Sequence, residues 1–259
     1  MKEEMKEILV KSKIDGSLQP NLFYQAEEAG RPLLVGLHTW SHNRFNQVEK
    51  MLPVAKKNKW NLLLPEFRGA NFGENPNCTD ACGSEKAKQD IIDAIEYIKQ
   101  NYKIDESNIL LLGASGGGHM ALLMAAYAPK LWKAIGSFVP ITDIGKWYDE
   151  NPDYREAISA CCKSDTEDDI KAEYQYRSPI TYVDDIAKAT LKIFSGKWDP
   201  IVPCSQGLNL YNEIFTRHPD ADVYFEMFDG GHEMRLEDAE RWLLSKINNG
   251  DKCSEEVTN

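Results

Sequence analysis

The sequence predicts an α/β fold built on a mostly parallel sheet, and three observations predict it. Short unbroken apolar runs of strand length recur, at residues 33–37, 62–64 and 109–112. Amphipathic or apolar helical patterns separate those runs. No internal repeat or low-complexity tract interrupts the alternation. An unbroken apolar strand is buried on both faces, which is the situation of a parallel sheet with helices packed on either side. The chain has 259 residues, enough to bury a large core without disulfide staples.

Taken in order, residues 8–14 and 22–25 read as two short strands around Asp15-Gly16-Ser17, a hairpin signal. Arg31-Pro32 leads into the first buried strand, 33–37. Residues 48–57 predict a helix interrupted at Pro53, because proline removes a backbone donor and crowds the preceding turn. Residues 60–65 form the next strand. Over 85–102, Ile91, Ala94, Ile95 and Ile98 recur at helical spacing behind a capping residue, Ser84. Strand 108–113 is followed by helix 117–128, which stops before Pro129. Strands 134–139, 191–195 and 223–228 complete a sheet of about eight, with helices at 206–217 and 236–247. Between 139 and 191 no strand pattern stands out, but Trp147, Tyr148, Tyr154, Cys161, Cys162, Tyr174 and Tyr176 do. We read a cap-like helical insertion over 141–178, before the strand at 191–195, within a single domain spanning 1–259. Residues 251–259 are polar and are expected to fray.

Forty-one acidic against thirty basic residues give a net charge of −11. Phosphate backbones and anionic lipid surfaces need a basic face, so neither nucleic acid nor membrane is an expected partner. The longest apolar stretch, 120–128, is half the length a membrane span requires. The chain begins Met-Lys-Glu-Glu-Met-Lys-Glu, with charge where a secretory apolar core would stand, so a cytoplasmic location is expected. Cysteines stand at 78, 82, 161, 162, 204 and 253, a spacing that reads as free thiols. Cys78 and Cys82 are close enough to bridge or to start a metal site, but no second His/Cys pair follows at zinc spacing.

The sharpest motif is Gly113-Ala114-Ser115-Gly116-Gly117, a G-x-S-x-G directly after a buried strand and before a helix. That context suits a nucleophile elbow. The serine occupies a tight, strained turn between small neighbours, and the following helix offers free N–H groups beneath a reacting carbonyl. A glycine-rich phosphate turn is the alternative, but no Gly-Lys-Ser/Thr follows. A serine nucleophile needs a base and an orienting acid, which in this sheet type follow it in the order acid, then histidine. His232, in Asp229-Gly230-Gly231-His232 after strand 223–228, suits the base; His218, before Pro219, reads as a solvated loop residue. Asp199, after strand 191–195, suits the acid, although Asp before Pro is also a common turn residue. Asp184 and Asp185 are rivals that precede that strand. A second oxyanion donor beside the Gly116 N–H should come from the loop His38-Thr39-Trp40-Ser41-His42, from Trp40 or alternatively Thr39. His38 and His42 lie four apart with no third ligand in view, so no metal is expected there.

On these residues the chain resembles the α/β-hydrolases, in particular the prolyl-oligopeptidase-like catalytic domain and the compact acyl esterases related to it. The matching pieces are Phe67-Arg68-Gly69, Gly113-Ala114-Ser115-Gly116-Gly117-Gly118, Ser178-Pro179-Ile180-Thr181-Tyr182, Gly196-Lys197-Trp198-Asp199-Pro200-Ile201-Val202-Pro203 and Gly231-His232, in that order along nearly the whole chain. The resemblance gives Ser115, Asp199 and His232 the triad roles and implies no metal or organic cofactor. Where the family has His-Gly in the oxyanion loop, this chain has His38-Thr39. The β-propeller of the large oligopeptidases is not expected in a chain of this length. The expectation is a serine hydrolase of carboxylic esters, an acetyl or feruloyl esterase of carbohydrates, with a peptidase acting on short peptides as the alternative. A non-catalytic binding member of the fold is a third possibility that the intact Ser115, Asp199 and His232 set argues against. Trp40, Trp147 and Trp198 offer flat apolar surfaces, and Trp147 and Trp198 are the expected substrate-binding residues.

Overall fold

Alternate residues of a strand face opposite sides of a sheet, so an unbroken apolar strand feeds two cores at once. The computed structural model, which describes residues 4–248, shows this directly. Leu33, Val35 and Leu37 of β3 (Arg31–Leu37) point into one core with Ile109 and Leu111 of β5 (Ile104–Ala114). Leu34, Leu110 and Leu112 point into the other. The first core is closed by α2 (Glu85–Asn101), α3 (Gly116–Tyr127) and α8 (Ser205–Arg217), through Ile91, Ile95, Leu122 and Leu210. The second is closed by α1 (Val48–Lys57) and α9 (Leu236–Asn248), through Met51, Leu52, Trp242 and Leu243.

The remaining strands are β1 (Lys6–Lys11), β2 (Leu18–Tyr24), β4 (Asn61–Pro65), β6 (Ala134–Phe138), β7 (Leu191–Gly196) and β8 (Val223–Phe228). They form one eight-stranded sheet in the order β1-β2-β4-β3-β5-β6-β7-β8. The β1–β2 hairpin is antiparallel and joins β4 antiparallel; every pair from β4 to β8 is parallel. The parallel strands therefore end on a common edge, and the loops after β3, β5, β7 and β8 emerge there together.

Two local expectations change. Helix α1 runs through Pro53 without a break, its apolar side buried against the sheet by Met51, Leu52 and Ala55, so packing outweighs the lost backbone bond. Strand β5 begins at Ile104, five residues before the apolar run at 109–112, with an irregularity in its pairing to β3 between Pro32 and Leu33.

Between β6 and β7 the chain folds into α4 (Ile144–Glu150), α5 (Arg155–Cys161), α6 (Glu167–Tyr176) and α7 (Val183–Ile186), with 3-10 turns at Pro152–Tyr154 and Pro179–Tyr182. Ile144, Trp147, Ile158, Cys161 and Cys162 make a third core with Trp40, Cys82 and Val202. The cysteines at 78, 82, 161, 162 and 204 are free thiols. Cys253, the tail 251–259 and the opening Met1-Lys2-Glu3 lie outside the described residues. Among the described residues no helix is long and apolar enough to cross a membrane.

Candidate active site

Ser115 stands alone between the last residue of β5 and the first of α3, at φ 58° and ψ −122°, a region that costs an L-residue of order 1–3 kcal/mol. The turn is held from both sides: Ser115 N–H donates to Phe138 O (2.9 Å), and His119 N–H donates to Ser115 O (2.8 Å). The glycine that follows is required by close approach. A Cβ at Gly116 would stand 2.5 Å from the Trp40 nitrogen, so the elbow and the loop after β3 touch through their backbones. Among the described residues neither the Gly116 nor the Trp40 backbone N–H donates to another group. Two unused donors therefore lie side by side next to the serine.

The Trp40 loop has its own supports. Its carbonyl accepts from Asn71 N–H (2.8 Å), and Asn71 Oδ1 accepts from Cys82 N–H (2.8 Å). The Trp40 ring is buried, edge-on to Trp147 with centroids 4.9 Å apart, and its indole N–H has no partner among the described residues. Packing alone holds the ring.

Asp199 follows β7 with a fully buried carboxylate. One oxygen, Oδ1, accepts from the N–H groups of Ile201 (2.8 Å) and Val202 (2.9 Å), the turn role that Asp-Pro suggested. The other, Oδ2, lies 2.7 Å from His232 Nδ1. One carboxylate thus closes a turn and accepts from the imidazole. Donation from Nδ1 leaves the Nε2 lone pair as the free end of the ring.

His232 is brought there by backbone contact between two loops. Lys197 N–H donates to Phe228 O and Trp198 N–H to Gly230 O, both at 2.9 Å. Gly196 has no room for a side chain, because its Cβ would lie 2.1 Å from Gly231 O. The structure therefore groups Ser115, Gly116 and Trp40 on one side and Asp199 with His232 on the other, all on loops of the same sheet edge. Among the described residues no hydrogen bond joins Ser115 to the imidazole; such bonds are often long before substrate binds.

The rival residues find other partners. His218 Nε2 lies 2.8 Å from Asp184 Oδ1 on the surface, and Asp185 pairs with Lys188 at 2.6 Å. His38 is buried and stacked on Phe67, its ring nitrogens against the carbonyls of Thr39 and Glu66. His42 Nδ1 lies 3.0 Å from Thr39 Oγ1, so the two histidines do not converge. Among the described residues no three His, Cys, Asp or Glu side chains gather as a metal site.

The two tryptophans expected to bind substrate differ. Trp198 is 63% exposed beside Asp199. Trp147 is 0% exposed, donates its indole N–H to Ile201 O (2.9 Å), and supports Trp40 instead of presenting a face to solvent. Tyr154 packs tilted against Trp147 with centroids 4.6 Å apart; burial, then the carboxylates of Asp153 and Asp199, raise its hydroxyl pKa. Asn71 and Asp229 had no sequence signal, since each acts by a bond to a residue remote in the chain.

Residues 74–248 match the prolyl oligopeptidase family. Among curated proteins, the human acylamino-acid-releasing enzyme is 27% identical over 200 residues, which are 72% of this chain and 26% of that protein. The chain spans about a quarter of the length of the curated relatives it matches. Among solved structures, an acylaminoacyl peptidase from Pyrococcus horikoshii superposes with a TM-score of 0.73 at 20% identity, over 99% of this chain and 43% of its own. An acetyl xylan esterase from Paenibacillus sp. R4 superposes with a TM-score of 0.70 at 17% identity, over 94% of this chain and 83% of its own. The fold is that of the α/β-hydrolases.

Proposed function

The chain belongs to the prolyl oligopeptidase family of serine hydrolases, and from that membership we propose a hydrolase that opens carboxylic esters through an acyl-enzyme on Ser115. The observation that carries it is the buried Asp199 carboxylate bonded to His232 Nδ1 at 2.7 Å, on the same sheet edge as a serine held at positive φ. In this mechanism Ser115 Oγ attacks the ester carbonyl while His232 Nε2 takes its proton. Asp199 fixes the imidazole tautomer and offsets the charge the ring acquires. The Gly116 and Trp40 N–H groups form the oxyanion hole for the tetrahedral intermediate. The C–O bond to the alcohol breaks as His232 returns the proton to the leaving oxygen. Water then attacks the acyl-serine by the same route, restoring the hydroxyl and releasing the acid. The chain's own residues supply each step without a cofactor.

Ester cleavage is the least demanding use of this machinery, because an alkoxide leaves more readily than an amide nitrogen. A small acylated saccharide is the first substrate class we propose, with exposed Trp198 as a surface for its ring. Release of acyl-amino acids from short peptides is the second reading, favoured by the human relative. Two of the three tryptophans that spoke for esters, Trp40 and Trp147, are buried, which narrows the margin between the two. The test is competition between an acetylated or feruloylated oligosaccharide, an acyl-aminoacyl anilide and a prolyl anilide, with Ser115→Ala as the control. A higher kcat/KM on an anilide would replace the ester reading by the peptide one. Hydrolysis unchanged in Ser115→Ala would remove both.

A further inference from the structure

Asp199 and His232 sit on two different loops, and their alignment depends on how those loops are tied. Their backbones meet at Trp198 N–H to Gly230 O. One further bond joins them through side chains: Trp198 Nε1–H donates to Asp229 Oδ1 at 2.8 Å. Trp198 directly precedes Asp199, and Asp229 precedes His232 by three residues, so this bond spans the same two loops as the Asp199–His232 pair. The histidine loop is also closed on itself. Arg235 Nη2–H donates to Asp229 O at 2.5 Å, its guanidinium lies over the Phe228 ring at 4.3 Å, and Glu233 N–H donates to Gly231 O. A loop so closed is held together by its own bonds, and Asp229 is where a side chain fastens it to the loop of Asp199. The indole is mostly exposed, so burial is not what it contributes; its N–H is.

We propose that Asp229 is a positioning residue for the Asp199–His232 pair, acting through the indole N–H of Trp198. The proposal rests on the serine-hydrolase reading above and deepens it: Trp198 serves the catalytic pair even when no substrate touches its ring. Lys197, whose ammonium lies 4.5 Å from the centroid of the Trp198 ring, helps to hold the ring flat while the N–H is bonded.

The experiment measures the second-order rate of fluorophosphonate labelling, in which Ser115 Oγ forms a bond to phosphorus, fluoride leaves, and His232 takes the hydroxyl proton. A small dialkyl fluorophosphonate reports on serine activation with little contact to the indole. Kcat and KM on an aryl acetate are measured in parallel. Asp229→Ala removes the acceptor, Trp198→Phe removes the donor but keeps a ring, and Asp229→Asn keeps an acceptor oxygen. We expect Asp229→Ala and Trp198→Phe each to slow labelling and kcat about tenfold, a factor equal to about 1.4 kcal/mol, with KM unchanged. The double variant should be no slower than either single one, because both remove the same bond. Asp229→Asn should restore most of the rate. Wild-type labelling in Asp229→Ala overturns the proposal. So does an Asp229→Asn as slow as Asp229→Ala, or a change confined to KM, which would leave Trp198 as a substrate surface alone. Ser115→Ala separates this from failure of the underlying reading: if that variant still reacts, the nucleophile is wrong and not merely its positioning.

Discussion

Replacing Trp147 by Ala decides whether this ring packs the insertion or lines a pocket. The side chain has no exposed surface and contacts Trp40 and Tyr154 at centroid distances of 4.9 and 4.6 Å. A buried indole removes about 200 Å² from water, worth about 5 kcal/mol as an upper bound at about 25 cal/mol per Å². The lost hydrogen bond adds little, because Ile201 O keeps a second donor in Asn151 Nδ2 at 2.9 Å. Partial collapse of the cavity offsets part of the burial loss, so a destabilisation of about 4 kcal/mol is expected. For a chain of this size that lowers Tm by roughly 8–16 °C. The assay is urea unfolding with thermal melts, set beside Trp198→Ala, which should stay within about 0.5 kcal/mol of wild type because its ring is mostly exposed. Since Trp147 also supports Trp40, kcat on aryl acetate should fall while the order of preference among acyl chains stays the same. A Trp147→Ala protein within about 1 kcal/mol of wild type, but with an altered acyl preference, would refute this and return the residue to the pocket wall.

Ser115→Gly should remove the positive-φ strain at the elbow and stabilise the chain by about 1 kcal/mol in thermal melts, while ester hydrolysis drops by roughly 10^4. Burial depresses the pKa of His119 to about 4, below the ordinary 6.5, so the folded chain stays neutral there while the unfolded chain takes up a proton. Its contribution is present above about pH 6.5 and is lost as pH falls toward 4, about 3 kcal/mol in all, and the loss from pH 7 to 4.5 should be visibly smaller in His119→Gln by urea unfolding. Arg68 bridges the buried Asp90 at 2.5 Å and Asp15 at 2.8 Å, and burial already raises the Asp90 pKa. Arg68→Met should cost about 3–5 kcal/mol in urea unfolding at pH 7 by stranding that carboxylate, and adding Asp90→Asn should recover part of it.

Much of the sheet was legible because a strand buried on both faces has no polar residue to spare. The runs at 33–37 and 109–112 announced β3 and β5 for that reason, and the stretch 134–139 announced β6 despite its Ser137, with Val139 falling just past the strand. The polar start of β5, Asp105-Glu106-Ser107, carried no such signal, and Pro53 was read as a break because local propensity could not see Met51 and Leu52 packed on the sheet. At the site, Asp199 and His232 were legible as a pair because few residue types serve those roles and their order follows the strands; the structure brings them to 2.7 Å. The tryptophans were not distinguishable: composition marks Trp147 and Trp198 alike, and only the fold turns one inward and the other out. Asn71 and Asp229 were silent because their partners, Cys82 N–H and the Trp198 indole, are eleven and thirty-one residues away.

The distribution of contacts around the site explains why its glycines and its insertion do different work. Ser115 meets the Trp40 loop, and the Asp199 loop meets the His232 loop, through main chain on main chain, at Gly116 and at Gly196. Backbone contacts of this kind fix position but have no side chain to tune. Support is therefore supplied one layer out, by Asn71 between Trp40 and Cys82 and by Trp147 beneath the Trp40 ring. Both supports end in the core shared with the insertion, where Cys82 packs with Cys161 and Cys162. A change in that core should reach the proposed oxyanion donor at Trp40 through its ring, and the Asp199–His232 pair through the Asp199 turn, because Trp147 and Asn151 bond to Ile201 O and Val202 packs in the same core. Kinetics can separate the two routes. Loss through Trp40 alone would make Trp147→Ala and Asp199→Asn additive in log kcat, whereas Trp147 also touches the turn that Asp199 closes, so the expected combination is sub-additive. A strictly additive pair would mean that Trp147 acts on Trp40 alone and that its bond to Ile201 O does not reach the Asp199–His232 pair.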